Sequence, residues 1–134
     1  MRDCKALTGA DVEIIMEAAK NEARENGWSV SIAIVDQGGL LWRLDRLDGA
    51  ILGSPKIAEA KAKTSALMRA STKAVEDRAT DRLVMLGLQD LLPLQGGLPI
   101  LADGDCIGAV GVSGGQSFQD EQVAGAGIAA LAKP

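Results

Sequence analysis

The chain has 134 residues, the length of one domain, and 47% of them are hydrophobic, which is enough for a core. Its net charge of −4 and its lack of any basic run disfavour a nucleic-acid surface, which must neutralise phosphates. Histidine is absent, so Ser-His-Asp and Cys-His catalysis are excluded. No apolar stretch approaches the ~20 residues of a spanning helix, and no membrane role is expected.

The two cysteines, Cys4 and Cys106, lie far apart and form no CxxC pair, so no metal site is predicted. No apolar run follows the N-terminal segment 1–5, which lacks the pattern of a secretory signal. We therefore expect a cytoplasmic protein whose cysteines are free thiols.

The first part of the sequence predicts a helix followed by a hairpin. Apolar residues at helical spacing predict a helix over 9–26, capped by Thr8 with Asp11 three residues later. Alternating apolar residues then predict strands at 30–35 and 40–46, joined by a turn at the paired glycines between them.

A second helix is predicted over 54–70, with Ser54 as its cap and a proline in its first turn. One face of this helix is small and should press closely on a sheet or a partner helix; its members are Ala58, Ala62 and Ala66. Segment 71–92 predicts one or two further helical pieces. Its apolar side chains are expected to be buried, and they are Leu83, Met85, Leu86, Leu88, Leu91 and Leu92.

The last third predicts a second hairpin and a final helix. The strands are predicted over 97–102 and 106–113, separated by an Asp-Gly-Asp turn. The helix is predicted over 118–132, capped by Ser117 with Asp120. The order helix, hairpin, helices, hairpin, helix indicates an α+β domain with an antiparallel sheet.

Six short motifs occur in the same order as in one known family. They are Val35-Asp36-Gln37-Gly38-Gly39, Arg46-Leu47-Asp48-Gly49-Ala50, Lys61-Ala62-Lys63-Thr64, Gly96-Gly97-Leu98-Pro99-Ile100, Gly108-Ala109-Val110-Gly111-Val112-Ser113-Gly114-Gly115 and Gln119-Asp120. Together they span nearly the whole chain. On these residues the sequence resembles the GlcG/HbpS family, the haem-degrading domain that is similar to the C-terminal part of PduO.

The resemblance implies a single domain over 1–134 with a profilin-like fold. Such a fold has a five-stranded antiparallel sheet flanked by helices, in α/β/α layers. Members of the family tend to self-associate into dimers and larger oligomers, so a homo-oligomer is expected. Some members bind haem, and a related domain ends the corrinoid protein PduO. The resemblance indicates the fold strongly and the activity weakly.

Haem is the cofactor that this resemblance raises. Its iron is usually held by an axial His, Met, Cys or Tyr, and this sequence has neither His nor Tyr. The sulfur ligands that remain are Cys4, Cys106, Met16, Met68 and Met85. We interpret Met16 and Met85 as core residues, and aromatic residues to line a pocket are few. No cofactor is therefore predicted, and haem is disfavoured without being excluded.

Three side chains are candidate ligand-binding residues. Lys61 and Thr64 share a helix face and suit an anion; the alternative is a solvated lysine with Thr64 bonded to its own helix. Arg43 can grip a carboxylate through two hydrogen bonds, or it belongs to a surface ion-pair cluster.

Two glycine-bearing segments are candidate sources of backbone donors. Gly96 and Gly97 lead into a strand and can leave N–H groups free for an anion; the alternative is a plain bend. Ser113 and Gly114 precede the final helix, whose start favours negative charge. Asp120 in its first turn either compensates the helix dipole or takes part in chemistry.

We rank first a homo-oligomeric domain that binds a small anionic organic ligand, because no catalytic constellation is visible. The alternative is an enzyme of small carboxylic-acid catabolism, an isomerase, lyase or hydrolase, with Lys61 as base and Asp120 as its partner or acid. Haem or corrinoid binding is third, and an assembly subunit without a ligand is fourth. The anion hypothesis requires a polar hollow shared by the second helix and the two late glycine pairs.

Overall fold

The computed structural model describes residues 1–131, which form a four-stranded sheet with helices on both of its faces. The helices are α1 (Gly9–Glu25), α2 (Ser54–Met68), α3 (Thr72–Asp81) and α4 (Ser117–Leu131), with a 3₁₀ helix at Leu83–Gly87. The strands are β1 (Ser31–Asp36), β2 (Leu41–Arg46), β3 (Gly97–Ala102) and β4 (Asp105–Ser113). The predicted end of the last helix, Ala132, lies outside the described residues. No helix within 1–131 is long and apolar enough to cross a membrane.

The sheet has the order β2-β1-β4-β3, and each neighbouring pair is antiparallel. The α+β class with an antiparallel sheet is confirmed, but the expectation of five strands is wrong. The long connection between α2 and β3 forms α3 and the 3₁₀ helix instead of another strand. Ser71 starts this helical connection because its hydroxyl accepts the Ala74 N–H and caps α3.

The prediction of α1 and its capping box is confirmed. Thr8 Oγ1 accepts the Asp11 N–H, and the Asp11 carboxylate accepts the Thr8 N–H. The helix ends at Glu25, one residue before the predicted end, and Gly27 follows with a φ of 70°. Its buried face consists of Val12, Ile15, Met16, Ala19 and Ala23.

β1 separates two cores because its side chains alternate across the sheet. Ile32 and Ile34 enter the larger core with α1 and α4, whereas Ala33 and Val35 enter the smaller core under α2. The turn after β1 is braced by Asp36, whose Oδ1 accepts two backbone N–H groups of the turn. α2 therefore covers one face of the sheet, and α1 and α4 cover the other.

α2 begins at Ser54, but the prediction that Ser54 caps it is wrong. Gly53 occupies the cap position without a side-chain hydrogen bond. The Ser54 hydroxyl instead donates to the Ile51 carbonyl oxygen and lies 2.9 Å from the Ser31 hydroxyl. The helix ends at Met68, before the predicted residue 70, because the following residue adopts a left-handed conformation with a φ of 52°.

The apolar segment after α3 is exposed, so the prediction that the apolar residues of 83–92 are buried is wrong. Leu83, Leu86 and Leu88 are 70%, 62% and 46% exposed. This short 3₁₀ helix packs on α3 outside the sheet, and one turn of chain cannot cover both of its own sides. Leu91 and Leu92 are half-buried.

The start of α4 is capped differently from the prediction. The Gln119 side chain accepts the Gln116 N–H, and Asp120 Oδ1 accepts the Gly115 N–H, both at 2.9 Å. These two side chains, rather than Ser117, satisfy donors at the helix start.

α2 approaches β4 very closely at Gly111. A Cβ at this position would overlap the Ala58 carbonyl oxygen and the Ala62 amide nitrogen. The predicted packing of the alanine face of α2 on the sheet is confirmed. Because small side chains face glycine backbone here, the backbones of helix and sheet approach each other closely without large side chains between them.

We predict that Gly111→Ala lowers the free energy of unfolding by about 3 kcal/mol, because the added methyl group meets backbone that cannot move aside. Gly9→Ala is the matched control, since a Cβ at Gly9 meets no atom within 4 Å. Urea unfolding followed by circular dichroism measures both variants. Equal effects of the two substitutions would contradict the close packing.

Candidate functional site

Lys61 extends from α2 into the interior, where only 2% of its side chain is exposed. Its ammonium group donates to the Val112 carbonyl oxygen at 2.9 Å and to Asp120 Oδ2 at 3.1 Å. The Asp120 side chain is 3% exposed and also accepts the Gly115 N–H. Opposite charges are therefore paired inside the protein, and each has a second hydrogen-bond partner.

Gly96 and Gly97 pass directly beside this lysine. A Cβ on Gly96, whose φ is 135°, would lie 2.7 Å from Lys61 Nζ, and a Cβ on Gly97 would lie 2.6 Å from the Lys61 carbonyl oxygen. The Gly97 N–H donates to Thr72 Oγ1 at 2.8 Å. The two glycines therefore make room for Lys61, and the Gly97 donor is used within the protein.

Burial dominates the electrostatics of Asp120 and raises the pKa of its carboxyl group. The hydrogen bond from Gly115 and the charge of Lys61 oppose that rise. The folded state holds the Asp120 proton to a higher pH than the unfolded chain does. This group therefore stabilises the fold fully below its ordinary pKa of 3.8, and that contribution is lost as the pH rises through the raised pKa.

The Lys61–Asp120 pair joins the two helical layers. α2 and α4 pack on opposite faces of the sheet, and the pair connects them beside the end of β4. The segments around Gly96 and Gly115 do converge on α2, as the anion hypothesis requires. The Lys61 side chain occupies the space between them, so a ligand reaches its ammonium only by displacing an internal partner.

Internal contacts also hold Thr64, Ser113 and Gly114. Thr64 Oγ1 donates to the Ala60 carbonyl oxygen and accepts the Leu92 N–H, both at 2.8 Å. Ser113 is 5% exposed at the end of β4. Gly114 has a φ of 129° and lies against the backbone that precedes β1. Thr64 thus anchors the connection leading to β3 on the surface of α2.

Arg43 lies apart from this cluster. It is paired with Ile34 across the ladder, so its side chain lies on the α1 face of the sheet. Its guanidinium donates to both carboxylate oxygens of Asp45, at 3.0 and 2.9 Å, and forms an ion pair with Glu13. These hydrogen bonds from Arg43 lower the pKa of Asp45, and Lys20 lowers it further.

The five candidate sulfur ligands differ in burial, and Met68 is half-buried at the end of α2. Met16 is fully buried, as predicted, whereas Cys4 is exposed. Cys106 is partly buried, and its thiol lies 3.3 Å from the Gly108 carbonyl oxygen. Met85 is half-buried and lines a cleft of about 510 Å³, so its interpretation as a core residue is wrong.

The cleft at Met85 is also lined by three charged residues that belong to none of the six sequence motifs. Its lining consists of Arg78, Asp81, Arg82 and Met85. Arg78 and Arg82 are four residues apart, a spacing that would place them on one helix face, although α3 ends at Asp81 and Met85 belongs to the following 3₁₀ helix. Neither guanidinium belongs to an ion pair of residues 1–131. Within the same range, no group of three or more Cys, Asp or Glu side chains is arranged for a metal ion.

Comparison with known proteins identifies the family. Residues 7–129 match the family described as "Haem degrading protein HbpS-like". The chain therefore belongs to the HbpS-like family, and the resemblance seen in its motifs is confirmed.

Three relatives illustrate the similarity. GlcG of Escherichia coli is 45% identical over 100 residues, which make up 74% of this chain and 75% of GlcG. A double mutant of HbpS from Streptomyces reticuli is 32% identical with a TM-score of 0.93, over 99% of this chain and 92% of the other. A crystal structure of a PduOC–haem complex is 30% identical with a TM-score of 0.87, over 94% and 95% of the two chains.

Breaking the buried ion pair from one side is expected to lower the free energy of unfolding by about 3–5 kcal/mol, because the remaining charge stays buried alone. Lys61→Met and Asp120→Asn should each show this loss. The double variant should lose less than the sum of the two. Urea unfolding of all four proteins at neutral pH gives the coupling energy, and additive losses would show that the two groups do not interact.

The Arg43–Asp45 pair is expected to stabilise the fold weakly, in a pH-dependent way. Because the pKa of Asp45 is lowered, its contribution is present above the ordinary value of 3.8 and disappears as the pH falls through the lowered value. Arg43→Gln should cost less than about 1 kcal/mol at neutral pH and nothing in strong acid.

Thermal unfolding across this pH range measures the effect. Arg46→Gln is the control, because Arg46 is exposed at the end of β2 and contributes to none of the ion pairs of residues 1–131. A loss in Arg43→Gln that persists unchanged in strong acid would contradict the assignment.

Proposed function

We propose that this domain binds haem in the cleft at Met85. The observation that carries the proposal is that one thioether and two guanidinium groups without ion-pair partners in 1–131, those of Arg78 and Arg82, line the same cleft. Met is one of the side chains that ligate haem iron. Arg binds carboxylates, such as the haem propionates, through paired hydrogen bonds.

The residues present fit haem in three respects. The volume of about 510 Å³ is in the range of small-molecule sites. Two guanidinium groups outnumber the single carboxylate of Asp81, so the charge of the cleft favours a ligand with two carboxylates. The exposed side chains of Leu83 and Leu86 lie on the same short helix as Met85, that of Leu88 follows its end, and all three offer apolar surface for the macrocycle to cover.

Haem now ranks above a small anion at Lys61 for two reasons. The Lys61 ammonium and the Gly97 N–H, which the anion hypothesis needs, already have internal partners. The PduOC relative forms a complex with haem, and the family description names haem degradation, so both support the proposal. Bound haem would supply a redox-active iron, while Met85 and the two arginines would hold and orient it.

Small-anion binding or catalysis at the Lys61–Asp120 pair is the second candidate. A raised carboxyl pKa beside a buried amine is typical of acid–base sites, and this observation favours it. The chain before β3 would have to move aside to admit a substrate. A small organic acid that raises the melting temperature of the wild type and of Lys61→Met equally would count against this candidate.

We also propose that the domain self-associates, and exposed apolar side chains support this proposal. Leu40, Trp42, Ile51 and Leu52 are 70%, 46%, 62% and 84% exposed near the β1–β2 hairpin. β2 and β3 are also edge strands with unpaired backbone groups. Light scattering that gives a monomer mass at high concentration would contradict a homo-oligomer.

Titration of the wild type with hemin is expected to give a Soret band that reports ligation by Met85. Met85→Leu keeps the bulk and the apolar character but removes the sulfur, so the Soret maximum should shift and the Kd should rise about tenfold. Met68→Leu is the matched control, because Met68 ends α2 outside the cleft.

Replacing both arginines by Gln should weaken hemin binding without moving the Soret maximum, since guanidinium groups contact propionates and not iron. Absorbance titrations of Arg78→Gln/Arg82→Gln and of Met85→Leu separate the two contributions. A Soret band that responds to neither change would show that hemin binds elsewhere or non-specifically.

A further inference from the structure

We propose that a second cleft, between the outer side of α2 and segment 90–92, binds an amphipathic monocarboxylate. The cleft has a volume of about 420 Å³. Its apolar and basic lining consists of Lys56, Ile57, Ala60, Lys63, Leu91 and Leu92. The two clefts share no lining residue, so the inference does not depend on the haem proposal.

The wall opposite α2 is fixed by the buried hydroxyl of Thr64. Thr64 Oγ1 accepts the Leu92 N–H at 2.8 Å while donating its proton to the Ala60 carbonyl oxygen. Two residues earlier, Asp90 has a φ of 62°, in the left-handed region that Asp tolerates better than most residues other than glycine, and the chain bends there. The hydrogen bond and the kink together hold this segment at the distance from α2 that leaves the cleft open.

The floor of the cleft is apolar. Ile57, Ala60, Leu91 and Leu92 are all half-buried, so each leaves part of its surface uncovered by the protein. A hydrocarbon chain that covers this surface gains free energy in proportion to the apolar area removed from water. This half of the lining therefore selects a ligand with an aliphatic body.

Two ammonium groups stand along the same cleft. Lys56 and Lys63 are seven residues apart on one side of α2, which places them about 10 Å apart along the helix axis. Neither belongs to an ion pair of residues 1–131. A Cβ on Gly39 would lie 3.0 Å from Lys63 Cγ, so the stem of this lysine packs on the β1–β2 turn while its charge remains available.

The carboxylates in the lining restrict the ligand charge. Glu59 lies between the two lysines on α2, and Asp90 lies on the opposite wall. These two carboxylates offset the two ammonium groups, so the lining has no net charge and does not favour a compact polyanion. A monocarboxylate places one charge on an ammonium group and its chain on the apolar floor. The cleft therefore suits a single negative charge joined to an aliphatic chain.

Calorimetric titration of the full chain with octanoate tests the proposal. Octanoate should bind, and Lys63→Met and Lys56→Met should each raise its Kd several-fold, with about a tenfold rise in the double variant. Lys73→Met is the matched control, because Lys73 is an exposed residue of α3 outside the cleft, and the Kd of this variant should equal that of the wild type. Octylamine and inorganic phosphate should bind at least tenfold more weakly than octanoate.

Thr64 acts as a positioning residue, and its role is tested separately. Thr64→Val removes the acceptor for the Leu92 N–H at nearly constant volume and should weaken octanoate binding about tenfold. Thr64→Ser keeps the hydroxyl and should restore binding, which a role in packing alone would not produce. Thermal unfolding establishes that both variants are folded, and if Thr64→Val is not, the lysine variants decide.

Three results would overturn the proposal. They are the absence of octanoate binding by the wild type, octylamine binding as tight as that of octanoate, and a Kd in the Lys56/Lys63 double variant equal to that of Lys73→Met. Hemin titrations report on Met85 in the other cleft, so either proposal can fail while the other stands.

Discussion

The closest contact between layers, where the alanine face of α2 meets β4 at Gly111, is the constraint on which the rest of this structure depends. No side chain separates helix from sheet there. The contact therefore also fixes the distance from the sheet of all the remaining residues of α2. Lys61, one position before Ala62, lies too close to the sheet for its ammonium group to reach solvent. It extends past Gly96 instead and meets Asp120 of α4.

A buried ion pair of this kind is better explained by specificity than by net stabilisation. Desolvation of two charges offsets much of their attraction, as the raised pKa of Asp120 indicates. The pair instead fixes the position of α4 relative to α2, because a charge left alone in the interior is strongly unfavourable. α4 can therefore dock at only one place relative to α2. We infer that the two motifs that contain Lys61 and Asp120, which lie side by side in the fold, fix the position of one helical layer relative to the other.

Features that depend on local periodicity could be predicted from the sequence, whereas contacts between distant segments could not. The α1 capping box, both hairpins and the alanine face were predictable because each leaves its pattern within a few residues. The burial of Lys61 was not, since its partner is 59 positions away. The prediction that the leucines of 83–92 are buried was wrong for a related reason. Apolar composition predicts burial only if other elements cover the segment, and within residues 1–131 α3 covers only part of it, so Leu83, Leu86 and Leu88 stay exposed.

Helical phase explains why one lysine of α2 is structural while two others line a cleft. Each residue advances the helix by about 100°, so Lys56 and Lys63 differ by about 20° in direction, whereas Lys61 points about 140° away from Lys56. The first two therefore lie on the outer side beside Leu91 and Leu92, and the third lies on the sheet side. The three lysines of this helix therefore differ in environment because of helix geometry alone. The inner lysine is paired with a protein carboxylate, whereas the outer two belong to no ion pair of residues 1–131.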